Sequence, residues 1–246
     1  MLINELDNII NLYYSDCSSY NNILSISKEI LTIFKRRSLK IFKQSDIEKY
    51  IKNLKTKGNT NATINTKLSF ISKALKYYKN ELIIPFQKVS NKEKETISDT
   101  QYNYLIEETK DNEELNKFIQ IAYYTGLRAS EILNIRIQHI KYDNGYFINL
   151  YNTKNHRDNF IPITNKLNSI FDNFQEFTLD YKQVYYLLKK FNITPHQFRH
   201  TFITNCYEKG LDSFTIMKLT NQTSLSVHQR YNHISNKRLQ DVVNVL

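Results

Sequence analysis

At 246 residues the chain is long enough to build two compact cores, and with 4 Gly and 3 Pro it has too few turn-forming residues for a β-rich sandwich, which leaves long helices as the expected elements. The formal charge of +10 points to a polyanionic partner, because Lys and Arg release condensed counterions when they meet phosphates, although charge alone does not name the polyanion. Two widely separated cysteines, Cys17 and Cys206, exclude a disulfide framework or a zinc ribbon, and with no basic-then-apolar leader and no apolar run of membrane-spanning length the expectation is a cytoplasmic protein without a membrane partner.

The pattern from Ser19 to about Asn80 is helical throughout. Ile64, Leu68, Ile71, Leu75 and Tyr78 recur at three- and four-residue intervals and predict a core stripe on one helix face. Ser45-Asp46-Ile47-Glu48 reads as a capping box and predicts a helix start near Asp46. The polar stretch from Lys55 to Asn61, which contains Gly58, predicts a loop before the next helix. Lys35, Arg36, Arg37, Lys40, Lys43, Lys52, Lys55, Lys57 and Lys67 crowd this half and as a group form a candidate face for a DNA backbone, with a solvated helix surface as the alternative for any one of them. Pro85 and the charged run QKVSNKEKE mark an exposed connection, dividing the chain into residues 1–88, a linker at 89–95 and residues 96–246.

Ser98-Asp99-Thr100-Gln101 offers another capping box, so the second domain should open with a helix. Ile140 to Leu150 alternates around Asn144-Gly145 as a hairpin turn, and Asn159 to Ile163 is the next strand candidate. Helical character resumes beyond Asn165 and runs into Asn236 to Leu246, where Leu239, Val242, Val243 and Leu246 keep helical spacing. The expected fold class is mainly α with a small antiparallel β-sheet.

Four segments of the second half carry the chemistry: Thr125-Gly126-Leu127-Arg128-Ala129-Ser130-Glu131, Asn152-Thr153-Lys154-Asn155, Thr194-Pro195-His196-Gln197-Phe198-Arg199-His200, and Arg230-Tyr231-Asn232-His233. Together they supply an inventory suited to breaking a phosphodiester without a metal. Arg128 and Arg199 are planar forks that match the non-bridging oxygens of a phosphorus gaining charge. Lys154, at a turn between strands, is suited to protonate the departing sugar oxygen, and the nearby Arg157 is less so because its high pKa resists proton transfer. Tyr231 is a nucleophile suited to a reversible reaction, since a phosphotyrosyl link conserves the energy of the broken bond. His196 has two open roles, handling the Tyr231 proton or bonding the phosphate. Taken singly, each of these residues has an ordinary structural reading, and His196 with His200 also carries an H-x-x-x-H zinc reading in which Gln197 stands where Glu is needed.

Those segments resemble the tyrosine recombinases of the phage-integrase family, whose signature is an Arg in a T-G-L-R-x-S-E-like turn, a Lys in a β-hairpin, an H-x-x-R pair, a His or Trp, and a Tyr near the C-terminus. Arg128, Lys154, His196 with Arg199, and Tyr231 match. Aligning Ile216 to Gln222 with I-x-x-L-L-G-H places Gln222 where His or Trp is expected, a departure that implies a weakened transition-state contact. The stretch SDIEKYIKNLKTKGNTNATINTKLSFISKAL resembles the family's helical core-binding domain, so the likeness spans nearly the whole chain.

The resemblance implies a SAM-like helical core-binding domain at 1–88 and a mostly helical catalytic domain at 96–246, in an Xer-like two-domain organisation. It implies a site-specific recombinase that cleaves and rejoins DNA through a 3′-phosphotyrosine, for integration, excision, dimer resolution or inversion. No cofactor or metal is called for; His200 would support the arginines, and Glu131 would either orient its neighbours or merely favour the N-terminus of its helix through the dipole. The implied partners are double-stranded DNA with inverted-repeat half-sites, a second copy on one site and a homotetramer in the synapse. The terminal helix would dock into a neighbouring subunit or pack on its own domain. Two rivals stand beside this reading: a type IB topoisomerase-like relaxase, and an architectural DNA-binding protein that has lost catalysis, for which Gln222 is the best support.

Overall fold

The structure is a computed structural model that describes residues 2–15, 19–34, 38–89, 95–152 and 157–222. It is mainly helical with one small antiparallel sheet, as the composition leads one to expect, and it divides into two compact units, Met1–Lys92 and Glu93–Leu246.

The first unit holds α1 (Leu2–Tyr14), α2 (Tyr20–Phe34), α3 (Gln44–Thr56) and α4 (Asn61–Tyr77), with a one-turn 3-10 helix at Leu39–Ile41. Ile64, Leu68, Ile71 and Leu75 are all buried, and Tyr78 packs at the margin of the same core. The start of α3 differs from the expected one. Its first residue is Gln44, and Asp46, not Ser45, caps it by accepting the Lys43 N–H at 2.9 Å. A carboxylate at the third helical position is the stronger acceptor for an orphan N–H, so the helix gains two residues at its N-terminal end. Buried Glu5 accepts from the Ser38 hydroxyl at 2.5 Å and the Leu39 N–H at 2.7 Å, which ties α1 to the 3-10 turn. Past α4 the chain is irregular yet fastened: Asn65 brackets the Gln87 peptide through both N–H and C=O, and Asn61 donates to the Lys88 carbonyl at 2.7 Å.

The second unit contains α5 (Asp99–Glu108), α6 (Glu113–Thr125), α7 (Ala129–Leu133), β1 (Ile140–Tyr142), β2 (Tyr146–Asn152), β3 (Arg157–Pro162), α8 (Asn168–Asp172), α9 (Tyr181–Lys189), α10 (Pro195–Glu208) and α11 (Ser213–Leu219). The Ser98–Gln101 box opens α5, with the Ser98 hydroxyl and the Gln101 amide bonding each other's backbone N–H. The sheet order is β1-β2-β3, both pairs antiparallel. Tyr142 pairs with Tyr146, so the first hairpin loop is the three residues Asp143 to Gly145 and not a two-residue Asn144-Gly145 turn. Asn144 takes the left-handed φ of 50° inside that loop. The third strand begins at Arg157, two residues ahead of Asn159, because the ladder continues to the Asn152–Arg157 pair. Ile148 and Ile161, opposite each other, bury one face of the sheet in a core with Phe118, Ile121, Ile132, Val184, Leu188 and Phe198. At the entry to this unit the Ile97 N–H donates to the Thr201 hydroxyl at 2.8 Å, anchoring the incoming chain on α10.

Candidate active site

Gly126 sets the site's geometry. It ends α6 with φ 62°, the left-handed region that glycine enters without a Cβ clash, and a Cβ there would meet the Phe202 ring on α10 at 2.5 Å. This close approach of α6 to α10 lets Arg199 Nη1 donate to the Gly126 carbonyl at 3.0 Å. Arg199 Nη2 donates to the Thr220 carbonyl at 2.6 Å, just past α11. The guanidinium, 2% exposed, is thus held by backbone from two separate helix ends.

Two residues beyond Gly126, Arg128 precedes α7 in extended conformation. Glu131, at the third position of that helix, accepts the Arg128 N–H on Oε2 at 2.7 Å and Arg128 Nη1 on Oε1, also at 2.7 Å. Capping the helix and orienting the arginine are therefore one arrangement, not alternatives. Arg128 Nη1 also donates to the Asn221 carbonyl at 3.1 Å. The same carboxylate lies 3.9 Å from Arg199 Nη1. One carboxylate between two guanidiniums leaves a net positive charge, and Arg128, with 45% of its side chain exposed, presents that charge to solvent.

His196 and His200 lie one turn apart on α10, their rings edge to face at 4.6 Å; His200 is buried and His196 exposed, one turn ahead of Arg199. Gln197 does not serve a zinc site: its side-chain oxygen accepts the Thr194 N–H at 2.7 Å and caps α10, whose first residue is Pro195. Gln222 follows directly on Asn221, its N–H bonded to the Met217 carbonyl and its Oε1 3.4 Å from the Thr220 hydroxyl. Arg128, Glu131, His196, Arg199, His200 and Gln222 thus come from three neighbouring elements, α7, α10 and the end of α11. Lys154 and Tyr231, with the terminal segment from Asn236, lie outside the described residues, as do Lys35, Arg36 and Arg37.

The Phage integrase family model matches residues 94–183 and 173–238, more than half of the chain. The chain belongs to the phage integrase family. Tyrosine recombinase XerA of Pyrococcus furiosus is 27% identical over 80% of this chain and 79% of its own length. Tyrosine recombinase XerC of Staphylococcus carnosus is 24% identical over 94% and 88% of the two chains. Among solved structures, the Tn1549 transposon integrase in complex with circular intermediate DNA shares the fold with a TM-score of 0.73 at 16% identity, covering 94% of each chain.

Within this phage integrase family member, the basic residues of the first unit sort into two groups. Lys40, Lys43, Lys52, Lys55 and Lys57 are exposed, whereas Lys67 is half-buried. Lys67 and Lys57 both turn to Glu29, at 2.7 and 3.1 Å, and Tyr50 adds a hydrogen bond at 3.3 Å. Burial works to raise the Glu29 pKa, but the two ammonium groups outweigh it and hold the carboxyl below its ordinary range. A cationic face in the second unit escaped the sequence reading: α9 packs against α7 and α10 and exposes Tyr181, Lys182, Tyr186 and Lys189. Its signal was present, since Val184 and Leu188 alone fix the buried stripe and leave the charged residues outward. Burial also lifts the hydroxyls of Tyr50, Tyr102 and Tyr123 well above the ordinary tyrosine value, with Glu29, Tyr124 and Asp99 adding to it respectively, which makes these three poorer nucleophiles.

Proposed function

We propose that this chain cuts and rejoins DNA at a specific site through a covalent 3′-phosphotyrosine link to Tyr231. The observation that carries this reading is the gathering of Arg128 and Arg199 about the Glu131 carboxylate, which sets two guanidiniums side by side in an arrangement suited to an anion. The Tyr231 hydroxyl gives up its proton to a base, for which His196 is the candidate, and its oxygen attacks the scissile phosphorus; the bond to the 5′ oxygen breaks, and Lys154 gives that oxygen a proton. Arg128 and Arg199 stabilise the charge that builds on the non-bridging oxygens. Rejoining reverses each step, with a 5′-hydroxyl as nucleophile and Tyr231 as leaving group, so no energy source is consumed.

The substrate is double-stranded DNA carrying inverted-repeat half-sites, bound by two copies, with four copies in the synapse. The first unit is the core-binding domain at residues 1–88, joined by a linker at 89–95 to the catalytic domain at 96–246. The exposed lysines of the first unit and the outer face of α9 supply phosphate contacts. Gln222 supplies an amide donor where the family pattern has His or Trp, a weaker but competent contact.

The test uses nicked duplexes recovered by the full chain from a random pool, incubated with the protein in EDTA, with the covalent adduct read on a denaturing gel. Wild-type chain forms the adduct and Tyr231→Phe does not; an adduct undiminished in that variant moves the nucleophile elsewhere. Lys154→Ala cleaves slowly and is restored by a 5′-thiol leaving group, whereas equal slowness with the thiol removes Lys154 as the acid. Binding without an adduct in wild type identifies an architectural protein.

A further inference from the structure

The end of α11 closes in a Schellman arrangement: the Gln222 N–H bonds the Met217 carbonyl at 2.8 Å and the Asn221 N–H bonds the Lys218 carbonyl at 3.4 Å. The left-handed residue this motif demands is Asn221, with φ 50°. Asn enters that region more readily than other residues bearing a Cβ, because its short amide bonds locally. Two consecutive carbonyls are exposed by the turn, and each receives an arginine: Thr220 accepts from Arg199 at 2.6 Å and Asn221 from Arg128 at 3.1 Å. The Asn221 side chain completes the frame, its Nδ2 donating to Glu131 Oε1 at 3.3 Å, the oxygen that also binds Arg128.

From this we infer that Asn221 is a positioning residue for both guanidiniums, its backbone setting Arg199 and Arg128 and its amide setting the carboxylate between them. Glycine at this position would satisfy the backbone alone. Asparagine does both, so the two contributions separate by substitution: Asn221→Gly keeps the left-handed turn and loses the amide, while Asn221→Ala loses the amide and strains the turn as well.

The inference rests on the proposed phosphoryl chemistry only for its consequence, so the first readout is independent of DNA. The guanidinium N–H resonances of Arg128 and Arg199 in the full chain, assigned with Arg128→Lys and Arg199→Lys, report each hydrogen bond by shift and exchange rate. Asn221→Gly should shift the Arg128 signals and leave those of Arg199 in place; Asn221→Ala should alter both, with a retained backbone amide spectrum showing that the chain is folded. Unchanged arginine signals in folded Asn221→Ala overturn the assignment, and so does an Asn221→Gly spectrum in which only Arg199 moves. If the alanine variant does not fold, the glycine variant alone decides by the same criterion. The second readout is adduct formation at saturating protein on the selected nicked duplex. Asn221→Gly should slow it roughly two- to tenfold, the loss of one hydrogen bond at the site, and leave the affinity for the duplex within about twofold. A wild-type rate in the glycine variant refutes the role of the amide. Failure of wild-type chain to form any adduct refutes the function and leaves the resonance experiment to judge Asn221.

Discussion

Replacing Gly126 by Ala should destabilise the second unit through two separable effects. Alanine held at φ 62° costs about 1–2 kcal/mol relative to glycine. The new Cβ would lie 2.5 Å from Phe202 Cδ1, 2.7 Å from Cγ and 2.8 Å from Cβ, and the last of these belongs to the root of the side chain, which cannot swing away. Forcing α6 and α10 apart to admit a methyl group adds about 1–3 kcal/mol. The sum, about 2–5 kcal/mol, should lower the melting temperature of a unit of this size by roughly 5–20 °C. Calorimetry of the full chain with separate fitting of the two units measures it, since a single two-state fit does not describe a chain of two compact units. In a Phe202→Gly background, which removes all three contacts including the one to Cβ, the steric part disappears and only about 1–2 kcal/mol should remain, giving a coupling between the two positions of about 1–3 kcal/mol. A Gly126→Ala chain that melts with wild type, or one that loses the same stability in both backgrounds, refutes the argument.

Glu131→Gln removes the charge shared by both arginines and weakens the charged hydrogen bonds to Arg128, so urea unfolding should show a loss of about 1–3 kcal/mol; an unshifted midpoint contradicts the shared-carboxylate reading. Glu29→Gln releases Lys57 and Lys67, so binding to duplex DNA should tighten and its logarithmic salt dependence steepen by roughly 1–2; an unchanged slope means that neither lysine reaches phosphate. Because the Glu29 pKa is lowered on folding, its contribution to the first unit is complete above the ordinary value of 4.5 and fades as pH falls through the lower folded value, a loss that acid titration of wild type should show and Glu29→Gln should lack. Burial pushes the Cys206 thiol up to about 11, so in a Cys17→Ser chain at pH 8 a thiol reagent should react slowly until denaturant is added; rapid native labelling would place Cys206 at the surface.

Helix patterning was legible where local signals agree. The stripe from Ile64 to Leu75 and the Ser98–Gln101 box depend only on spacing and on side-chain oxygens near orphan N–H groups, and both are found as read. At α3 two capping candidates stood side by side, and the contest between Ser45 and Asp46 was decided by which oxygen reaches the Lys43 N–H, a matter of backbone geometry. The motif around Arg128 and the H-x-x-R pair announced two guanidiniums, yet nothing in residue types alone shows that Arg199 is buried or that its partners are carbonyls, because every residue offers a carbonyl. The capture of Lys57 and Lys67 by Glu29 was hidden for a similar reason: α2 meets α3 and α4 only in three dimensions, and a count of lysines along the chain does not register the acid that folds onto them.

The grip on Arg199 has a practical consequence for anyone choosing an inactive control. Its fork bridges the end of α6 to the end of α11, so it is a brace of the tertiary structure as well as a candidate ligand for phosphate. Shortening it to lysine would loosen two helix termini at once, and a silent Arg199→Lys chain would report damage to the scaffold together with damage to the chemistry. Arg128, solvent-facing and bound at one nitrogen, is the cleaner site at which to switch the reaction off while leaving the architecture standing.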